Sequence, residues 1–504
     1  MNRKEFLQTV AAGAAGTLAG GAPADAAQVS APAAAKATGD DLKGSTRAVV
    51  EFVTSARLDS FPPDVILQAK RCLIDGFAMI LAGSKVEGSE IVRHYVKSVS
   101  KGDGVASILG PERMRAPAPF AALANGASGH AMDFDDTQLS TTPDRTYGLL
   151  THPTVPALSS ALAVAEERQA SGAAFLEAFL TGFEVECKIA EAIDPDHYRR
   201  GFHSTATAGT FAGAGGSARL LGLDAAHTAH AIGIAASFAA GLRVNFGSMT
   251  KPLHAGRAAE NGITAVMLAS QGFTAGDDGL DGRWGYLQVL GGGAEPRRLI
   301  GALGKPHSIV NPGVSVKPYP CGSLSHPSMD AMLKLVTDHN IQPAQIKAVR
   351  LRAGSNILEP LRYKTAKTEL EAKFCVPFLL GVIALQRKAG IQEFTDEYVS
   401  SAPIQQMMTK VSTEFDPKIE AMGFDKIRSI VEVDLVDGRK LTQPSDERYR
   451  GSPAWPFTMA ELRERFVDCA SPLLTKDRIQ RALEQIESIE KIKDIRELTR
   501  TLTL

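Results

Sequence analysis

The sequence predicts a mainly α protein, a large all-helical domain followed by a smaller α+β domain, and three observations carry that reading. Through the first 290 residues apolar positions recur at three- and four-residue steps, the period of one helix face. In the second half two stretches alternate apolar and polar residues instead, the period of a half-buried strand. At 504 residues the chain exceeds one hydrophobic core, since domains run roughly 100 to 200 residues, so two or more are expected.

Composition narrows the function classes. Hydrophobic residues make up 44% and charged residues 22%, enough apolar side chain to fill such cores. A formal net charge of −1, with no run of five Lys or Arg, lacks the basic excess of a nucleic-acid binder. The five cysteines, Cys72, Cys187, Cys321, Cys375 and Cys469, form no C-x-x-C pair, which argues against a zinc ribbon or a disulfide framework.

Taken in order, residues 1–27 read as an export signal that is removed: a basic start (Arg3, Lys4), an Ala/Gly run from Thr9 to Ala22, and Ala24-Asp25-Ala26 as a cleavage site. "NRKEFLQ" resembles a twin-arginine signal with Lys4 in place of the second arginine, which implies a periplasmic protein. A leader that does not function leaves the protein cytoplasmic. No later stretch offers ~18 uninterrupted apolar residues, so no membrane span is expected. Residues 28–45 are an Ala/Pro/Ser/Gly linker, and order is expected to begin near Thr46.

The helical domain is expected over 46–294. "PPDVILQAKRCLIDGFAMILAG" places Val65, Ala69, Cys72, Leu73, Gly76, Phe77 and Ile80 on one face of a helix opened by Pro62 and Pro63 and closed by Gly83. Similar patterns predict helices at 118–131, 154–168, 173–193, 205–222 and 225–241, whose alanines and glycines allow close packing. The α+β domain is expected over 295–450. It holds a strand at 346–354, a helix at 373–388, and a hairpin at 427–444 turning on Asp437-Gly438. Residues 451–504 are expected to form terminal helices: Thr458 and Glu461 stand in capping-box spacing, and an amphipathic helix is predicted at 474–497.

The chemistry-bearing residues cluster in a few places. "HAMDFDDTQLSTTPDRTYGLLTHPT" (130–154) puts Asp133, Asp135 and Asp136 within four positions and then reaches His152. Carboxylates so close need a cation, a proton or N–H donors. Three readings follow: a carboxylate and imidazole metal site, a carboxylate and histidine pair for proton transfer, or a helix cap. Metal is the least favoured, because helix spacings such as H-x-x-x-H are missing. "RRGFHSTATAGTFAGAGGSARLLGL" sets His203 before Gly213, Gly215 and Gly216; no strand precedes these glycines and their spacing is not G-x-G-x-x-G, so they read as helix packing. Alone, His203 reads more readily as a capped surface residue than as a catalytic one. "GSMTKPLHAGRAAENG" places Lys251, His254 and Arg257 at three-residue steps around a helix start. Cations oppose the helix dipole there unless an anion is bound. "VKPYPCGSLSH" offers Lys317 in a proline-flanked loop, with His326 behind it.

Together "HAMDFDDT…HPT", "GFHSTATAGTFAGAGGSARLLGL", "TKPLHAGRAAENG", "VKPYPCGSLSH" and "GSPAWPFTMAELRERF" resemble the MmgE/PrpD family, in the expected order over about 45 to 470. The resemblance implies a helical domain with a smaller α+β lid, a homodimer, and a cofactor-free, metal-free site in the cleft between domains. By the same resemblance the catalytic positions fall on Asp133, His152, His203 and Lys251, and substrate contacts on Thr137, Lys317 and, from the lid, Tyr363. The resembling decarboxylases carry a histidine five positions after the loop lysine, where this chain has Gly322, and the segment from Thr137 to His152 is longer than in the resembling enzymes.

These cations suit a di- or tricarboxylate, with His254 and Arg257 added to the substrate-binding set. The function expected is a cofactor-independent lyase of the 2-methylcitrate dehydratase type, which takes a proton next to a carboxylate and eliminates water. In this scheme His152 and His203 divide acid and base duties, and Asp133 orients or shares a proton with one of them. The alternatives are a dicarboxylate epimerase or isomerase using the same proton abstraction, and a non-catalytic periplasmic carboxylate-binding protein.

Overall fold

The computed structural model describes residues 36–101, 104–139, 149–423, 427–446 and 448–503. The leader at 1–27, the linker up to residue 35, and residues 140–148 of the segment between Thr137 and His152 lie outside the described residues. From Ala35 to Leu504 the chain packs as one unit.

The longer helices of the first half are α1 (Ser45–Ser55), α2 (Pro63–Gly83), α3 (Glu87–Ser100), α4 (Ala118–Ala131), α5 (Thr154–Arg168), α6 (Gly172–Ile193), α7 (Ser204–Leu221), α8 (Ala225–Phe238) and α9 (Thr250–Ser270). Proline in the first turn opens α2, where the missing N–H leaves no bond unmade. The seven α2 positions picked out by the three- and four-residue period are all buried. Small residues set how closely α4, α7 and α9 approach. A Cβ on Gly256 of α9 would lie 2.2 Å from the Leu123 carbonyl of α4, and one on Gly262 would lie 2.5 Å from Gly213 Cα of α7. Gly213 therefore serves helix packing, and any side chain at Gly256 would push α4 and α9 apart.

The expectation of an all-helical first half is corrected in two places. Gly110 and Pro111 break the period and turn the chain, so β1 (Ala106–Ile108) pairs antiparallel with β2 (Met114–Ala116). A second pair, β3 (Gln138–Leu139) and β4 (Leu149–Thr151), joins the aspartate loop to the residue before His152, with Gln138 opposite Thr151.

In the second half, α10 (His326–Asp338) and α11 (Val376–Gln386) pack on a four-stranded sheet made of β5 (Ile346–Ala353), β6 (Val411–Phe415), β7 (Ser429–Leu435) and β8 (Lys440–Pro444). The order is β6-β5-β7-β8, parallel between β5 and β6 and antiparallel elsewhere. Alternate β7 residues are buried, so Val431, Val433 and Leu435 meet Phe378, Leu379 and Val382 in one core. Asp437-Gly438 turns the β7–β8 hairpin, with Gly438 at φ 93°.

The terminal segment returns to the first half. Helix α12 (Met459–Ala470) starts at a Thr458/Glu461 capping box and packs on α2. The helix expected at 474–497 is two helices, α13 (Lys476–Glu487) and α14 (Arg496–Leu502). Between them Ile489, Ile492 and Ile495 turn into the core beside α6, where a Cβ on Gly172 would lie 1.9 Å from the Ile489 carbonyl. No helix of the described residues is long and apolar enough to cross a membrane.

Candidate active site

The three aspartates hold three different things. Helix α4 ends at Ala131, and Asp133 takes φ 49°, a left-handed conformation that aspartate tolerates, with a carboxylate oxygen within 4.8 Å of one of Asp135. Asp133 Oδ1 accepts from Lys251 Nζ (2.9 Å) and Lys317 Nζ (2.6 Å). Asp135 takes His130: the ring Nδ1 lies 2.8 and 2.9 Å from its two oxygens. Asp136 caps α5, accepting from Thr154 N (3.3 Å) and Thr154 Oγ1 (2.5 Å). The pairing of Asp133 with a histidine is thus corrected: two lysines occupy that carboxylate, and Asp135 is the one that holds an imidazole. The reason is charge, since two buried ammonium groups need an anion more than a neutral ring does.

Both lysines are buried, yet their protons are committed differently. An ammonium has three N–H donors. Lys317 donates to Asp133 Oδ1, to the Asp133 carbonyl (3.0 Å) and to the Cys321 carbonyl (3.2 Å), which uses all three. Lys251 donates to Asp133 and to His130 Nε2 (2.9 Å), so one N–H has no acceptor among the described residues. The Phe246 and Phe374 rings flank that ammonium at 5.3 and 5.6 Å. Burial pushes the Asp133 carboxyl up, but Lys251 and Lys317 outweigh it and hold the group well below the usual range. For Lys251 burial prevails over the pull of Asp133 and lowers its value.

His152 precedes α5, its backbone N–H donating to Thr205 Oγ1 at 3.0 Å. Its Nδ1 lies 2.9 Å from the Asp136 carbonyl and 3.1 Å from Thr137 Oγ1, which in turn reaches Ser323 Oγ at 2.9 Å. A carbonyl only accepts, so Nδ1 carries the proton and Nε2 keeps its lone pair. Burial, and then Lys317, hold the His152 value well below that of a free imidazole, which keeps the ring neutral.

These groups meet at a cavity of about 20 Å³ whose lining includes the polar Asp133, His152, Lys251, Lys317 and Ser323 and the apolar Phe246, Leu324, Pro360, Leu361 and Phe374. His203 and His254 stand behind it. Their Nδ1 atoms are 3.0 Å apart, His203 Nε2 has no hydrogen-bond partner among the described residues, and burial lowers His254 to about 4.

Of the five predicted substrate contacts Lys317 lines the cavity, whereas Thr137, His254, Arg257 and Tyr363 do not. Arg257 is half-exposed and pairs with Glu260. Steps of three on a helix drift by about 60° each, so two steps carry Arg257 about 120° from Lys251. Tyr363 turns its ring onto Gly247 and its hydroxyl to 3.5 Å from the Phe246 carbonyl, outside the lining. His130 is a site residue that the sequence reading passed over, although it stands three positions before Asp133. Arg465 is another. From α12 it donates to Asp75 (2.6 Å), the Lys317 carbonyl (3.0 Å) and the Phe134 carbonyl (2.7 Å), tying the lysine loop to the aspartate loop.

One nitrogen each of His130, His152 and His203 lie within 4.8 Å of one another, a spacing that suits a metal ion. The donor set does not: His130 is engaged at both nitrogens by Asp135 and Lys251, and two ammonium groups meet on Asp133, so a dication there would face like charge.

Comparisons with known proteins agree with this architecture. Residues 47–299 match the MmgE/PrpD N-terminal domain and residues 319–491 the MmgE/PrpD C-terminal domain. A human cis-aconitate decarboxylase is 26% identical, over 92% of this chain and 95% of its own length. A cis-aconitate decarboxylase-like protein of Aspergillus oryzae is 27% identical, over 90% of this chain and 96% of its own. The cis-aconitate decarboxylase of Aspergillus terreus is 25% identical, over 91% and 96%. With both domain models matched in order around the helical core and the mixed sheet, the chain belongs to the MmgE/PrpD family.

Proposed function

We propose that this chain is a cofactor-independent lyase that removes a proton next to a carboxylate and expels water from a hydroxy di- or tricarboxylate. One observation carries the reading: His152, with a lone pair on Nε2, and Lys251, with one N–H uncommitted among the described residues, line one cavity together with the Lys317 ammonium and the Asp133 carboxylate. His152 Nε2 takes the carbon-bound proton, and the electron pair moves onto the adjacent carboxylate as an aci-carboxylate. Lys251 and Lys317 offset that added charge; one well-placed donor of this kind is worth roughly 3 kcal/mol. The β C–O bond then breaks, and the hydroxyl leaves as water with the third Lys251 proton. His152 ends protonated and Lys251 neutral, and solvent returns the proton between them.

The decarboxylase names of the relatives favour a second reading in which a C–C bond breaks. Against it, the corner at Gly322 offers no titratable group: a Cβ there would sit 3.1 Å from Leu361 and 3.5 Å from Phe374. Mass analysis of products from citrate, 2-methylcitrate, malate, tartrate and cis-aconitate separates the two. Loss of water from a hydroxy acid supports dehydration, loss of CO₂ supports the second reading, and recovery of an unchanged mass with inverted configuration indicates an epimerase. Periplasmic export through residues 1–27 and a homodimeric state belong to the same proposal, and are tested by cell fractionation and by sedimentation.

A further inference from the structure

Asp135 and His130 are the part of the cluster that this chemistry leaves unused, and their hydrogen bonds lead to Lys251. His130 sits in the last turn of α4 with one ring nitrogen on Asp135 and the other on Lys251. The close crossing of α4 and α9 at Gly126 and Gly256 puts these side chains within reach; a Cβ on Gly126 would lie 2.6 Å from Gly256 Cα. An ammonium can only donate, so the Lys251 contact requires a lone pair on Nε2. The proton of a neutral ring must then be on Nδ1, where the Asp135 carboxylate accepts it.

We propose that Asp135 locks His130 in its Nδ1–H tautomer, and that His130 thereby aims the one free Lys251 proton into the cavity. Both are positioning residues, and the inference rests on the reading of Lys251 as the proton donor. With two Lys251 protons fixed on His130 and Asp133, tetrahedral geometry at Nζ sets the direction of the third. In the other tautomer an Nε2–H would face the ammonium, donor against donor, and Lys251 would lose that anchor.

The surroundings favour a neutral ring, and they shift the partner carboxyl toward its protonated form. The His152 ring stands 4.7 Å from His130 and that of His203 5.7 Å, and the charges of Asp133, Lys317 and His254 also act on it. Burial first, then Lys251, keep His130 from taking a second proton. Burial raises the Asp135 carboxyl above its ordinary value while His152, Lys317 and Lys251 oppose the rise. As pH falls through that raised value Asp135 gains a proton, its acceptor is lost, and turnover falls.

The test pairs a spectrum with a rate. Imidazole ¹⁵N spectra, with His130 assigned by its loss in His130→Gln, are expected to show Nδ1–H in the wild type and Nε2–H in Asp135→Asn. In Asp135→Asn we expect kcat to fall roughly 10²- to 10⁴-fold, as for a triad aspartate that fixes a tautomer, with KM changed only a few-fold. Asp135→Glu is expected to restore part of the rate, and His130→Gln, whose amide oxygen still accepts from Lys251, to retain more than His130→Phe. An Nε2–H tautomer in the wild type overturns the proposal. So does an Asp135→Asn enzyme within a few-fold of wild-type kcat and with the same acid limb. If the wild type turns over none of the carboxylates, the reading of the function fails, and the tautomer spectrum still decides whether the lock exists.

Discussion

Asp133 and Asp136 are both buried carboxyls, three residues apart, and opposite charge balances make them opposite predictions. Asp133 is ionised between two ammonium groups, so Asp133→Asn leaves two buried like charges and is expected to cost about 3–5 kcal/mol in urea unfolding at neutral pH. Because its folded value is lowered, that stability is complete above the ordinary aspartate range and is lost as pH falls through the lowered value. Burial lifts Asp136 to about 8, so it is already protonated at neutral pH, and Asp136→Asn is expected to change stability by less than about 1 kcal/mol. Equal losses in the two variants would refute this charge assignment. Lys251→Ala is expected to abolish most activity and keep the fold, since Lys317 still pairs with Asp133. Circular dichroism beside an activity assay checks both halves of that statement. Residue types and family motifs made the lysines, Asp133 and His152 legible in the sequence. Which carboxylate meets which cation was not, because it depends on the left-handed turn at Asp133 and on loops 184 residues apart.

At the level of elements, hydrophobic period located α2, α4 to α8, α11 and the β7–β8 hairpin to within a few residues, and passed over α1, α3 and α10. It failed where packing across the chain decides. The break between α13 and α14 answers to isoleucines turned toward α6, and Arg257 looked like a site residue only because a three-residue step mimics a helix face. The α4–α9 crossing is the element contact on which the site most depends. Gly256→Ala would drive a methyl against the Leu123 carbonyl, 2.2 Å from its ideal position. We expect a loss of about 1–3 kcal/mol, as for other overpacked cores. Since the forced separation also parts His130 from Lys251, kcat should fall by more than a surface variant of equal stability shows. Thermal melts and turnover, measured together, test this; a destabilised variant with full kcat would disconnect the crossing from the site.

Over the whole molecule, the ionic half of the site comes from the helical part and Lys317, while Leu324, Pro360, Leu361 and Phe374 supply apolar lining. The space of about 20 Å³ at these groups holds about one water molecule and no tricarboxylate. Residues 318–325 and 360–375 are therefore expected to move when a substrate enters, with Arg465 holding the Lys317 end of the first segment to the aspartate loop. Amide hydrogen exchange in these segments is expected to slow when a carboxylate substrate saturates the protein. Unchanged exchange there would place entry elsewhere.

The central claim is that His152 takes a carbon-bound proton while Lys251 supplies the leaving group's proton. Proton NMR in D₂O tests it most directly, following wild type, His152→Gln and Lys251→Ala with hydroxy di- and tricarboxylates and with cis-aconitate. The account predicts new alkene signals from one hydroxy acid with wild type, and the loss of both deuterium uptake and alkene in each folded variant. Undiminished deuterium uptake in His152→Gln, or an alkene formed at the wild-type rate by Lys251→Ala, would contradict it.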